Sequence, residues 1–283
     1  MKTEPLLLLI PFAFTFLPAP AQTQSASDSP VPIYAAGPDI AVPQLLAPTA
    51  PHAYSAAGCR TEEQGAATFS VIVDPAGQPR NVYFLNPIGD DLDLIALREV
   101  LNDRFRPGAR ASQPVAVAAS ITVSLHACLV ERKDEHGKSQ TVLELALAPV
   151  QELKPPVDPP KQAVLVSGSG LSTNPSDPDA GIQQVGPGIT APVFFASSPT
   201  QSAQAETLLH GGVFKTSVVV DRFGLPERLK ILDAEMPGYD QQVASVIRLY
   251  RWKPALKDGV PVPVRINVTP GRDSHVESSG RRR

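Results

Sequence analysis

VVVDRFGLPERLKIL, residues 218–232, followed six residues later by YDQQVASVIRLYRWKPALKDGVPVPVRINV, residues 239–268, decides how this chain folds. Lys215–Val220 is a β-branched run of the kind strands prefer. Asp221-Arg222-Phe223-Gly224 places Asp first and Gly fourth, as a tight turn does, so a second strand over 227–232 completes a hairpin. Tyr239, Val243, Ala244 and Ile247 recur at i, i+4, i+5 and i+8, which is one apolar face of a helix. Pro254 stops that helix. Val262, Val264, Ile266 and Val268 then alternate with Pro263, Arg265 and Asn267, so the last strand buries one face and wets the other. The expected unit is strand–strand–helix–strand, an α+β layer with one helix on a small antiparallel sheet.

The same unit is written earlier in the chain at an offset of 147 residues. Ser70, Val71, Val73, Asp74, Gly77, Pro79 and Leu85 fall on Ser217, Val218, Val220, Asp221, Gly224, Pro226 and Leu232. Asp93, Arg104, Pro107, Pro114, Val115 and Val117 fall on Asp240, Arg251, Pro254, Pro261, Val262 and Val264, with Phe105 on Trp252. One offset does not hold by chance across 50 residues. Upstream, GPDIAVP at 37–43 echoes GPGITAP at 186–192 with the offset slipped to 149. In the first unit the strands are 68–73 and 80–86, joined by Asp74-Pro75-Ala76-Gly77. Asp90 or Asp91 caps the helix, Leu92, Ala96, Leu97 and Val100 form its apolar face, and Val115 to Leu125 alternate. Residues 139–149 add a strand, led in by a turn at Asp134-Glu135-His136-Gly137.

Working outward, prolines mark what does not pack. There are 31 in 283 residues, about twice average usage, clustered at 18–51, 149–160 and 175–199. At the N-terminus, Lys2, a 12-residue apolar run over Leu6–Leu17 and then Ala19-Pro20-Ala21 have the layout of a cleaved secretory signal. That run is short of the ~20 residues a spanning helix needs. The expected organisation is therefore a signal peptide at 1–21, a Pro/Ala-rich segment at 22–50, unit one at 51–150, a Pro/Ser/Gly-rich linker at 151–185, unit two at 186–270 and a polar tail at 271–283. Export makes a disulfide available to the only two cysteines, Cys59 and Cys128. It would close a loop of about 70 residues, worth on the order of 4 kcal/mol.

The ordered motifs resemble the TonB C-terminal domain family. The carrying residues are VIVDPAGQPRNVYFL, LDLIALREVLNDRFRPG and QPVAVAASITVSL in the first unit. In the second they are VVVDRFGLPERLKIL and RWKPALKDGVPVPV, which keeps the whole helix-end and strand-start signature. The resemblance covers about 52–125, where Tyr54 looks like the family's usual tyrosine, and 199–270. It implies a tandem of two such domains and protein recognition in the periplasm or outside the cell. The partner would be an outer-membrane transporter or other envelope protein, with a link to TonB-dependent transmembrane transport. Recognition would proceed by β-augmentation, in which an extended peptide joins a sheet edge. Val262, Val264, Arg265, Ile266, Asn267 and Val268 are the candidate edge. Residues 139–149 fold back over the first unit's last strand, whereas the second unit's edge is expected to stay open.

Other chemistries have little support in the residues. A net charge of −3 gives no footprint for nucleic acid. His52, His126, His136, His210 and His275 make no metal-binding or catalytic spacing, and no G-x-S-x-G or phosphate loop occurs. The expectation is a non-enzymatic chain without cofactor, metal or membrane span after signal cleavage. A scaffold for envelope assembly, or a small-ligand or glycan module between the two units, are the alternative readings.

Overall fold

The computed structural model describes residues 29–46, 62–89, 92–145, 149–156, 159–167, 179, 181–195, 214–234, 240–269 and 275–277. The signal segment, Tyr54, Cys59, Asp90 and Asp91 lie outside the described residues. Among the described residues the fold is mixed α+β, mostly strands with two helices. In chain order the main elements are β1 (Tyr34–Ala35), β2 (Glu62–Val73), β3 (Pro79–Asn86), α1 (Leu92–Asn102), β4 (Val117–Lys133), β5 (Ser139–Leu145) and β6 (Val150–Lys154). They are followed by β7 (Phe214–Val220), β8 (Pro226–Ala234), α2 (Asp240–Arg248), β9 (Val264–Thr269) and β10 (His275–Glu277).

The first sheet runs β5-β4-β2-β3, with β6 and β1 also on β4; the second runs β8-β7-β9-β10. Alternation explains each sheet's inner face. Ala119, Ile121, Val123, Leu125 and Ala127 of β4 join Phe69, Val71, Phe84 and the α1 residues Leu92, Ala96, Leu97 and Val100 in one core. Val218, Val220, Val243, Val246, Ile247, Trp252, Val264, Ile266 and Val268 make the other. A buried aliphatic or aromatic side chain contributes about 1.5–3 kcal/mol, so each core is well supplied for its size.

Three hairpins use one turn. In Asp74–Gly77, Asp134–Gly137 and Asp221–Gly224 the glycine N–H donates to the first Asp carbonyl, and the Asp N–H donates to the carbonyl one residue past the glycine. Each Asp Oδ1 also accepts backbone N–H groups from two and four residues on. The glycines have φ of +74°, +76° and +102°, a region costly for any residue with a Cβ. Gly77 and Gly224 are needed twice over, because a Cβ there would collide with the Phe105 or Trp252 carbonyl.

The β2–β3 and β7–β8 ladders share their register residue for residue. Phe69↔Phe84, Ser70↔Tyr83 and Val73↔Pro79 have counterparts in Thr216↔Ile231, Ser217↔Lys230 and Val220↔Pro226. Both ladders carry two irregularities at matching positions, and Asn81 and Arg228 are both left-handed (φ 50° and 48°). Other sequence expectations are met with different bounds. β4 extends to Lys133. The fold-back over it is two strands, with β5 at residues 127–133 and β6 at Ser120–Ser124, rather than one strand over 115–128.

The two sheets pack against each other. Phe223, at the tip of the β7–β8 turn, is buried in the first core, and its carbonyl accepts the Phe84 N–H at 3.1 Å. Beside it, Arg251 Nε lies 3.0 Å from Asp93 Oδ2, with both side chains almost fully buried. Asp93 also accepts the N–H groups of Ile88 (2.7 Å) and Gly89 (3.2 Å). Burial raises its pKa and the Arg251 guanidinium opposes that rise. Asp93, in the first turn of α1, is thus one half of a buried clasp between the sheets.

Candidate functional site

The candidate edge is β9. Hairpin residues Ala255–Lys257 and Val260–Val262 deliver the chain to it, with Asp258 and Gly259 in left-handed conformations at the turn. Val264, Ile266 and Val268 point into the core, while Arg265 and Asn267 are half-exposed on the opposite face. The inner side of the strand pairs with β7 from Val220↔Val264 to Thr216↔Val268, and the Thr216 hydroxyl adds a 2.8 Å bond to the Val268 carbonyl. Val262 sits just before the strand, partly buried against the second core.

The expectation of an open outer side is corrected by the structure. Gln183 bridges Val264 in parallel; its N–H donates to Pro263 O at 2.8 Å and its carbonyl accepts the Arg265 N–H at 3.3 Å. β10 then pairs antiparallel through Asn267↔Glu277, Val268↔Val276 and Thr269↔His275. The physical reason is general: a row of unpaired amides and carbonyls is a liability, so a chain with residues in reach covers it. The first sheet does the same more fully, since β1, β6 and β5 together line β4. The Gln183 contact repeats Tyr34↔Val117 of the first sheet. The 37–43 and 186–192 echo was the sequence signal for it, and its meaning was missed. Arg265 Nη2 meets Asp179 Oδ1 at 2.7 Å, and Arg228 approaches the same oxygen at 3.4 Å. Such exposed pairs contribute little.

The titratable groups with displaced pKa values hold structure. Asp74 and Asp221 occupy equivalent turns. The Asp74 carboxylate receives Arg80 Nε at 2.7 Å. Glu227 stands where Arg80 does, so the position that supplies a cation to Asp74 supplies an acid beside Asp221. Burial, against the pull of three backbone N–H donors and reinforced by Glu227, pushes its pKa up to about 7. Asp103 is also raised by burial, to about 6, with Gln151 donating to it at 3.2 Å. No group of three metal-ligating side chains occurs among the described residues, and none of their helices is long and apolar enough to cross a membrane. Cys128 is buried on β4 and no free cysteine is found among the described residues.

Comparison with known proteins bears on the second sheet. Residues 198–270 match the family described as Gram-negative bacterial TonB protein C-terminal. No curated protein and no solved structure matches the chain. The matched span takes in β7, β8, α2 and β9 and ends before β10. Domains of this family are non-enzymatic, work on the periplasmic side of the Gram-negative envelope, and interact with envelope proteins such as outer-membrane transporters. At residues 198–270 the chain therefore carries a TonB C-terminal domain.

Proposed function

We propose that this chain is an exported periplasmic protein-binding module, not an enzyme, that takes an extended segment of another envelope protein as an added strand and so takes part in TonB-type transmembrane transport. The observation that carries the reading is β10. Among the described residues it pairs with β9 at three positions, lies beyond the family match, and occupies the edge at Asn267–Thr269 where a guest strand would run. Three ladder positions are a small hold, so a guest making a longer ladder over Val264–Val268 can take its place.

We further propose that residues 51–150 and 186–270 are two copies of one domain. The shared hairpin register, the paired irregularities and the matching turns support this. The first copy, with β4 lined along its length, serves as the partner-independent half. Cleavage after Ala21 and a Cys59–Cys128 disulfide complete the proposal.

The test uses the whole mature chain and the same chain ended at Pro270. A peptide from the periplasmic face of an outer-membrane transporter is added, and amide hydrogen exchange is followed. Protection is expected at Asn267, since the Arg265 N–H is already held by the Gln183 carbonyl, with tighter binding to the shortened chain. Unchanged exchange along β9 in both chains would refute strand addition there.

A further inference from the structure

β6 and β10 cover equivalent edges. β6 lies on β4 from Ser120↔Lys154 to Ser124↔Val150, and β10 lies on β9 from Asn267↔Glu277 to Thr269↔His275. Ser120 and Thr122 fall on Asn267 and Thr269 at the 147-residue offset. The two covers are not held alike. β6 has five ladder positions, a bond from the Ser120 hydroxyl to the Lys154 carbonyl, and Leu153 packed against the first core. It also has a contact that the second sheet does not repeat, because Tyr250 stands where Asp103 does.

Asp103 follows α1, and its N–H donates to the Glu99 carbonyl at 3.0 Å. Gln151 Nε2 reaches it from β6 and donates to Oδ1 at 3.2 Å. The other two oxygens, Asp103 Oδ2 and Gln151 Oε1, are buried and accept from no donor among the described residues. A buried acceptor left in that state is unfavourable. One proton on Oδ2 satisfies both oxygens, since a carboxylic acid donates as well as accepts. The pair then closes a ring, with Nε2–H on Oδ1 and Oδ2–H on Oε1. The surroundings favour that proton. Burial pushes the Asp103 pKa up to about 6; the Gln151 donor opposes the rise, Glu99 adds to it and Arg104 opposes it. β4 has no titratable side chain from Val117 to Leu125. Glu152 and Lys154 of β6 are exposed and pair with each other at 2.9 Å.

We infer that Asp103 keeps its proton in the closed chain, and that the Asp103–Gln151 ring is a proton-operated latch holding β6 over the β4 edge. It is independent of the proposal for β9. With β6 lifted, Asp103 returns to water and to its ordinary pKa of 3.8; with β6 closed it titrates at about 6. The closed state therefore binds the extra proton between these values, and closure weakens as pH rises through that window. Two pKa units correspond to at most about a hundredfold in the opening constant. Above the upper value this group changes nothing further.

The test follows amide hydrogen exchange of the whole chain at about pH 4 and about pH 7, each rate normalised to its intrinsic value. The β6 amides are expected to open about tenfold more often or beyond at the higher pH, while those of β5, on the same side of β4, stay level. Asp103→Asn supplies an N–H where the acid supplies an O–H, so β6 in that chain keeps its low-pH protection at both values. Carbon NMR of the Asp103 carboxyl in the unsubstituted chain should give a midpoint near the upper value. The inference is overturned by a midpoint at the ordinary Asp value of about 4, or by equal β6 opening at both pH values. It is equally overturned by β5 opening in step with β6, or by an Asp103→Asn chain in which β6 still opens with pH or is unprotected throughout.

Discussion

The Asp93–Arg251 clasp gives the most decisive test of how the two sheets depend on each other. Asp93→Asn keeps the shape of the side chain and an oxygen to accept from Ile88, but it removes the carboxylate charge 3.0 Å from the buried Arg251 guanidinium. Arg251→Met removes the guanidinium instead. Breaking a buried ion pair from one side costs about 3–5 kcal/mol. That is about a fifth or more of the ~5–15 kcal/mol that holds a typical domain. Arg251 still donates to the carbonyls of Arg248 (2.8 Å) and Tyr250 (2.9 Å), and these soften the Asp93→Asn penalty toward the lower figure. The double variant removes both charges and should recover much of the loss, for a coupling of roughly 2–3 kcal/mol. Urea unfolding followed by far-ultraviolet circular dichroism measures all four corners of the cycle. Tryptophan fluorescence adds a local probe, because Trp252 is the only tryptophan and stands next to Arg251. If either single variant costs under about 1 kcal/mol, or if the penalties simply add, the pair does not clasp the sheets and the reasoning fails.

Because the Asp221 pKa is raised to about 7, the folded chain holds an extra proton between about pH 4 and pH 7, and this group's contribution to stability should fall as pH rises through that window. The ceiling is about 4 kcal/mol. Glu227→Arg restores the arrangement seen at Asp74 and should flatten the slope of melting temperature against pH; an unchanged slope assigns the effect elsewhere. Gly77→Ala and Gly224→Ala should each cost clearly more than Gly137→Ala, since only the first two add a collision to the left-handed φ. About 1 kcal/mol is expected for Gly137→Ala, and equal penalties in thermal melts would contradict the close approach. Thiol titration of the denatured, unreduced protein should find no free cysteine, and reduction should lower stability by on the order of 4 kcal/mol; two reactive thiols exclude the Cys59–Cys128 bond.

What could be read in advance was whatever repeats at short range. Period-two alternation in Val117–Leu125 and Val264–Val268, the i, i+4 spacing of Leu92 and Ala96, and the Asp-x-x-Gly turns are local signals, and each element formed where they stand. The state of the β9 edge was not local. Gln183 lies 81 residues before Val264, and its one backbone bridge needs no particular side chain, so only the distant echo of 37–43 in 186–192 pointed to it. Nor does the pattern distinguish Phe223 from any other apolar turn residue, although it serves the neighbouring core and not its own. Asp93 illustrates the same limit. An acid in the first turn of a helix is ordinary, and only the packed arrangement reveals the Arg251 beside it.

The way the sheets meet has a consequence for how many such units can be strung together. The contact joins unlike faces: the turn and Arg251 of the second sheet against the strand and Asp93 of the first. The reciprocal pair, Arg104 and Asp240, stays in solvent, so the relation is head-to-tail and not a two-fold. A head-to-tail contact has no intrinsic end; repeated, it closes into a ring or grows into a fibre. Here the series is terminated chemically. The turn of the first sheet carries solvent-exposed Ala76 where the docked turn carries Phe223, so it has no apolar plug to offer a further sheet.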